Sequence, residues 1–383
     1  MEKILKQGCV YFVGAGPGDL ELITVKGLRL LQEADVIIFD RLVHPFLLKN
    51  TKAKLIYCGK QPCKHTLRQE DIQKELLIHA KRGLKVVRLK GGDPSIFGRV
   101  GEEAELCARH QVEYEIIPGI TSGSAAGIYS GVPLTYRGLS GSVATVTGHT
   151  CTKDGKPAVN WKELAGAVDT IVFYMGVKHL RTIATELTKN GMDKKMPVLI
   201  VQWGTYGKQR SLEGTLSTIV NQAELVGMEN PAVIIVGNVV KLRSKISWFE
   251  NKPLSGVGIL YPTSKQDLII EGVKSQGADI YPCSFSPRTL KLDRERMIVT
   301  RLIEDKHINT ILLTDIQDCL EFFEFIDLSG INFEDLKSCR WICQGKETLL
   351  YLESHGIKAS RVMEEDPIIE ACIPFKVKEI RHT

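Results

Sequence analysis

Short, mostly apolar strand-like runs recur along the chain, separated by stretches with helical spacing. In the first third, residues 9–13, 36–40, 55–59, 85–89 and 114–117 are such runs, and helical periodicity over 24–33, 69–82 and 102–110 lies between them. A strand that is apolar on both sides of its pleat has to be covered on both faces. That requires crossover helices, so the alternation specifies open α/β sheets. A second series follows, with strands predicted at 142–147, 170–174, 197–203 and 232–236 and a helix over 179–190. A third restarts the rhythm at 258–261, continues through a helix over 265–276, and adds runs at 279–282, 310–313 and 340–343. The breaks predict domains at 1–135, 136–250 and 254–383, with the polar tripeptide Asn251-Lys252-Pro253 as a linker.

Composition narrows the function. A formal net charge of +5 in 383 residues is too small to mark a nucleic-acid-binding protein, yet it does not oppose an anionic small molecule. The ten cysteines include no CxxC pair; Cys58 with Cys63 and Cys339 with Cys343 stand nearest, without histidines at zinc-finger spacing. Reduced thiols and no metal are expected. No apolar stretch of signal-peptide length precedes Gly14, and no run approaches the ~20 apolar residues of a membrane helix. The expectation is a soluble, cytoplasmic protein without membrane partners.

The loop Gly14-Ala15-Gly16-Pro17-Gly18-Asp19 invites a dinucleotide reading, but Asp19 occupies the third glycine position of that fingerprint. A carboxylate there opposes a pyrophosphate at the helix N-terminus. Two readings stay open on the loop alone: a tight turn, or a backbone that approaches a ligand lacking phosphates.

Other segments make the loop specific. VGAGPGDLELIT (13–24), FDRLV (39–43), VRLKGGDPSIFGRVGEE (87–103), PGITS (118–122), GVPLTYRG (131–138), YMG (174–176) and PAVIIVGNV (231–239) occur in this order. Together they resemble the tetrapyrrole methylase family over nearly two-thirds of the chain. The resemblance implies a non-Rossmann, two-domain α/β methylase fold with the cofactor in the interdomain cleft. It implies S-adenosylmethionine as methyl donor, a homodimer, and C-methylation of uroporphyrinogen III at C2 and C7 to precorrin-2, for sirohaem or cobalamin. Residues 254–383 resemble part of uroporphyrinogen-III synthase and form a smaller α/β segment.

The resemblance also assigns roles. Pro17, Gly91, Gly92, Asp93, Ile96, Thr121, Ser122, Met175 and Gly204 match its cofactor-contacting positions. Glycine turns expose backbone amides and carbonyls to the donor's polar groups, and methionine offers a polarizable surface. Arg99, Glu102 and Arg137 match positions facing the tetrapyrrole, whose acetate and propionate arms suit the planar guanidinium fork. Asp40 and Lys60 match further active-site positions. Val100, Tyr136 and Trp203 depart from the usual pattern of glycine, histidine and a small polar residue. Two alternatives remain: a methylase of a later precorrin, and a nucleotide binder that has lost catalysis.

Overall fold

The computed structural model describes residues 8–59, 69–148, 159–262, 268–286 and 292–362. They form two compact units. The first holds the residues up to Thr205 together with Arg210–Ser247, and the second holds Tyr206–Gln209 and the residues from Trp248 onward. Lys60 lies outside the described residues.

The first unit contains two five-stranded sheets. One is built from β1 (Cys9–Gly14), β2 (Val36–Phe39), β3 (Lys54–Tyr57), β4 (Lys85–Lys90) and β5 (Glu113–Ile117), in the order β3-β2-β4-β1-β5. Every pairing is parallel. Helix α1 (Val25–Glu33) is capped by the Thr24 side chain and packs Gly27 close to Val13. Helices α2 (Gln69–Lys81) and α3 (Val100–Arg109) join the core formed by Val10, Phe12, Val36, Ile38 and Val86. Val100, where the family favours glycine, is the first residue of α3 and is buried in that core.

The second sheet contains β6 (Val143–Thr147), β7 (Thr170–Tyr174), β8 (Pro197–Gln202), β9 (Arg210–Thr215) and β10 (Ala232–Gly237), in the order β6-β7-β10-β8-β9. Only β6 and β7 pair in parallel. Helix α4 (Ser122–Tyr129) places Ala126 among Val172, Val201 and Ile235, so it packs with this sheet although it precedes residue 135. Among the helices on the other face are α5 (Trp161–Ala167), α6 (Leu180–Lys189) and α7 (Ile219–Leu225). The short helix α8 (Arg243–Ile246) follows, and the Arg243 guanidinium donates to the Ser130 carbonyl at 2.6 Å.

The second unit is a parallel sheet in the order β12-β11-β13-β14-β15, made of β11 (Gly258–Pro262), β12 (Asp279–Cys283), β13 (Thr310–Leu313), β14 (Arg340–Gln344) and β15 (Ala359–Val362). Its helices are α9 (Leu268–Ser275), α10 (Leu292–Glu304), α11 (Ile316–Ser329) and α12 (Lys346–Ser354). Pro282 sits on the edge strand β12, the place in a sheet where proline is tolerated. The tripeptide expected to be a linker is part of a packed turn. Lys252 Nζ lies 5.2 Å from the Trp248 ring centroid, and Leu254 is fully buried with its N–H on the Gln276 carbonyl at 2.9 Å. Tyr206–Gln209 belong here as well: the Gly207 N–H donates to Asp279 Oδ2 at 2.7 Å, and the Tyr206 ring lies 4.8 Å from His307. Among the described residues no helix is long and apolar enough to cross a membrane.

One feature of the first sheet breaks its apolar pattern. Glu103 on α3 is 0% exposed and accepts from Lys90 Nζ at 3.0 and 3.1 Å and from Gln69 Nε2 at 2.9 Å. Burial pushes the Lys90 ammonium below its ordinary range, and the Arg88 charge adds to that. Replacing Lys90 with Met should strand the buried carboxylate and cost about 3–5 kcal/mol of stability. Urea unfolding of the two proteins checks this. A loss under about 1 kcal/mol would mean that Arg88 and Gln69 suffice to hold Glu103.

Candidate active site

The strand order sets where the loops meet. The connection leaving β1 leads to β2, beyond β4, and the connection leaving β4 leads to β5, beyond β1. The two therefore pass each other at the carboxyl edge of the sheet, the usual place for ligands in such folds. They do so with their backbones in contact. The Gly92 N–H donates to the Gly16 carbonyl at 2.7 Å, and the Gly16 N–H to the Gly92 carbonyl at 3.2 Å. A Cβ on Gly14 would lie 2.6 Å from Gly119 Cα, and one on Gly119 would lie 2.3 Å from the Gly92 carbonyl oxygen. No side chain fits at Gly14 or Gly119.

Asp93 fixes the crossing. Its Oδ2 accepts from the Gly119 N–H at 3.0 Å and its Oδ1 from the Ser95 N–H at 2.7 Å. Asp19, which excluded the dinucleotide reading, caps the 3-10 turn Leu20–Leu22 and accepts from Tyr129 Oη at 2.8 Å. Burial, and next the Asp19 charge, push the Tyr129 hydroxyl above its ordinary range, which keeps it a donor. The Asp19 N–H also donates to Thr205 Oγ1 at 3.0 Å. Tyr174 makes a second link. Its hydroxyl lies 2.7 Å from Thr121 Oγ1 and accepts from the Gly123 N–H at 2.8 Å, while its ring lies 5.3 Å from that of Phe97.

Backbone strain marks the same loops. Among the described non-glycine residues, Phe97, Arg99, Met175, Trp203 and Thr205 have φ between +52° and +71°; the other two with positive φ, Gln111 and Lys306, follow helices α3 and α10. Such conformations cost of order 1–3 kcal/mol each and gather at functional sites. Thr205 is the most unusual, since a β-branched side chain rarely tolerates this region.

The expected residues fall into groups. Pro17, Gly91, Gly92, Asp93 and Thr121 lie on the crossing loops, with Ser122 opening α4. Ile96 and Met175 expose 37% and 44% of their surface on loops after β4 and β7. Gly204 has a packing reason for its identity, because a Cβ there would come within 2.5 Å of Ala126 Cβ. Arg99 and Glu102 form a fork, with Nε to Oε1 at 2.9 Å and Nη2 to Oε2 at 2.6 Å, and the hydrogen bond from Arg99 holds the Glu102 carboxyl below its ordinary range. Arg137 is exposed in the turn closed by Tyr136 and Ser140, and no described hydrogen bond or ion pair ties it to the others. Asp40 accepts from Arg88 Nη2 at 2.6 Å. Beside this pair, burial pushes the Cys58 thiol to about 11, which rules it out as a nucleophile near neutral pH.

Sequence reasoning passed over Tyr174, Tyr129, Thr205 and Arg88. The signal for Tyr174 is its place in the YMG block, one residue before Met175. Arg88 and Lys90 carried a readable signal, being two cations at strand spacing inside an apolar run.

The family profile of Tetrapyrrole (Corrin/Porphyrin) Methylases matches residues 9–220. A Bacillus subtilis (strain 168) protein named uroporphyrinogen-III C-methyltransferase is 47% identical over 368 residues, spanning 94% of this chain and 74% of its own length. The porphyrin biosynthesis protein HemD of Ruminiclostridium josui is 36% identical over 92% of this chain and 70% of its own, so both matches run into the second unit. Among solved structures, the uroporphyrin-III C-methyl transferase of Thermus thermophilus complexed with S-adenyl homocysteine aligns with a TM-score of 0.54 and 41% identity, covering 61% of this chain and all of that one. With the crossing loops, the strained residues around them and these matches together, the chain belongs to the tetrapyrrole methylases.

Proposed function

We propose that this protein transfers two methyl groups from S-adenosylmethionine to C2 and C7 of uroporphyrinogen III, giving precorrin-2. The observation that carries the reading is the glycine crossing of the β1, β4 and β5 loops, ringed by strained, partly exposed side chains. The loops fit such a donor. A Cβ on Gly92 would make only ordinary contacts, at 3.7 Å and beyond with the Ile120–Ser122 backbone, so it is the φ of +67° that explains the glycine. Ile96, Phe97 and Met175 present apolar surface suited to an adenine. Thr121 and Ser122 place hydroxyls at the positive end of α4, suited to a carboxylate.

When bound, the donor supplies an electrophilic methyl on a sulfonium. The side chains then do three things. The loops hold donor and ring carbon in line, which is the larger part of the acceleration. Arg99 and Arg137 take the acetate and propionate arms. Asp40 faces the developing positive charge on the pyrrole and receives the proton that the ring loses. Homodimeric assembly and a cytoplasmic setting belong to the same reading.

Incubating the protein with S-adenosylmethionine and uroporphyrinogen III should yield a tetrapyrrole heavier by two methyl groups, with two equivalents of S-adenosylhomocysteine by mass analysis. Methylation only of a later precorrin, or calorimetric binding of NAD in place of S-adenosylmethionine, would overturn the assignment.

Two variants separate the halves of the site. Arg99→Ala should weaken tetrapyrrole binding by one to two decades, about 1.5–3 kcal/mol for a charge-assisted contact, and leave donor binding unchanged. An unaltered tetrapyrrole affinity removes Arg99 from the substrate site. Tyr174→Phe leaves the Gly123 N–H without its acceptor and should raise the donor Kd about tenfold. Calorimetry at matched protein stability reads this, and an unchanged Kd would show that Thr121 and Gly123 keep their places without the hydroxyl.

A further inference from the structure

Strand β4 puts a cation where a parallel sheet ordinarily has an apolar residue. Arg88 is 2% exposed and lies in register with Phe12 on β1 and Ile38 on β2. Burying a guanidinium is costly, and an apolar residue of similar volume would often be as stable or more so. Glu103 gives little reason for it. Lys90 and Gln69 already contact Glu103 at 2.9–3.1 Å, whereas Arg88 reaches it only through Nε at 3.4 Å.

Among the described residues, Asp40 is the group that Arg88 alone contacts. Nη2 lies 2.6 Å from Asp40 Oδ1, and Nη1 points to the Ile38 and Leu89 carbonyls at 3.4 Å, which sets the plane of the guanidinium. The Asp40 side chain is 35% exposed, and Oδ2 has no hydrogen-bond partner among the described residues. One carboxylate oxygen is thus anchored from inside the sheet, and the other has no partner among the described residues.

We infer that Arg88 is a positioning residue for methyl transfer, holding Oδ1 of Asp40 so that Oδ2 meets the tetrapyrrole. The inference rests on the assignment of Asp40 above. In each transfer the ring carbon forms a bond to the methyl group as the methyl–sulfur bond breaks, and the sulfur keeps the electron pair. The ring is left cationic and returns to neutrality by losing a proton, which Asp40 takes at Oδ2. An unanchored aspartate would sample other rotamers, and this transfer depends on orientation.

A mutant cycle on kcat tests the idea. Asp40→Asn should lower kcat about a hundredfold or more, the range a positioned proton acceptor contributes, and Arg88→Met at least about tenfold. Donor Kd by calorimetry should stay at the wild-type value in both. The double variant should be no slower than the slower single variant, because Arg88 has nothing to position once the carboxylate is gone. Arg88→Lys, which keeps a cation, should recover part of the rate; it also serves in the cycle if Arg88→Met does not fold. Wild-type kcat in Arg88→Met, or a double variant slowed by the product of the two single effects, would overturn the inference and leave Arg88 a packing residue. Wild-type kcat in Asp40→Asn would instead overturn the role of Asp40 itself.

Discussion

The backbone crossing at the carboxyl edge of the first sheet governs the rest of the site. Strand order forces the connections from β1 and β4 past each other, and the β5 loop closes against both. Peptide groups can pass this closely only where no Cβ intervenes, so Gly14 and Gly119 are fixed by contact while Gly16 and Gly92 are fixed by φ. The mutual Gly16–Gly92 hydrogen bonds satisfy groups that would otherwise be stranded in a partly buried loop. Asp93 then works as a clamp. Its carboxylate accepts from the Ser95 amide of its own loop and from the Gly119 amide after β5, which gives that residue a structural reason independent of any ligand.

Around this crossing the second sheet contributes two ties, and both end in strained backbone. Tyr174 reaches Thr121 and Gly123, and the next residue, Met175, has φ of +54°. Thr205 accepts from Asp19 and itself has φ of +71°. Strain of this kind persists only where neighbours over-determine the conformation. Here the over-determining contacts are identifiable hydrogen bonds between loops. The loops are therefore held in place before any ligand arrives, which is what catalysis by orientation requires.

Much of this was legible in the sequence, for physical reasons that differ by element. The strands of the parallel sheet announce themselves because both faces are buried, so β1 and β2 read as continuous apolar runs and β4 as an apolar run broken by Arg88. Strand β9, RSLEGT, gave no such signal because it is an edge strand with partly exposed faces. Helix α4, SGSAAGIY, escaped because its glycines and serines carry low helix propensity. They are there so that Gly123 can sit against Tyr174 and Gly127 against the Val132 carbonyl. In the site, the residues found by motif are those whose backbone makes the crossing. Those missed act through side chains reaching across the fold, and no local spacing encodes a contact such as Tyr129 to Asp19 over 110 positions.

The buried charges beneath the crossing make a balanced set. Arg88 and Lys90 face Asp40 and Glu103, two cations against two anions on one side of the sheet. In a low-dielectric setting such a set is tolerable only when neutral, because each unpaired charge would bear most of its desolvation cost. Neutrality alone needs only one pair, and Lys90 with Glu103 supplies one that is fully enclosed. The second pair differs in being open at one end: Arg88 is buried, whereas Asp40 is about one-third exposed toward the loops. A pair serving stability alone would have no reason to leave the sheet interior. The asymmetry follows if the cation anchors the set in the core and the carboxylate presents its charge at the carboxyl edge of the sheet, with the Lys90–Glu103 pair bearing the structural load beneath it.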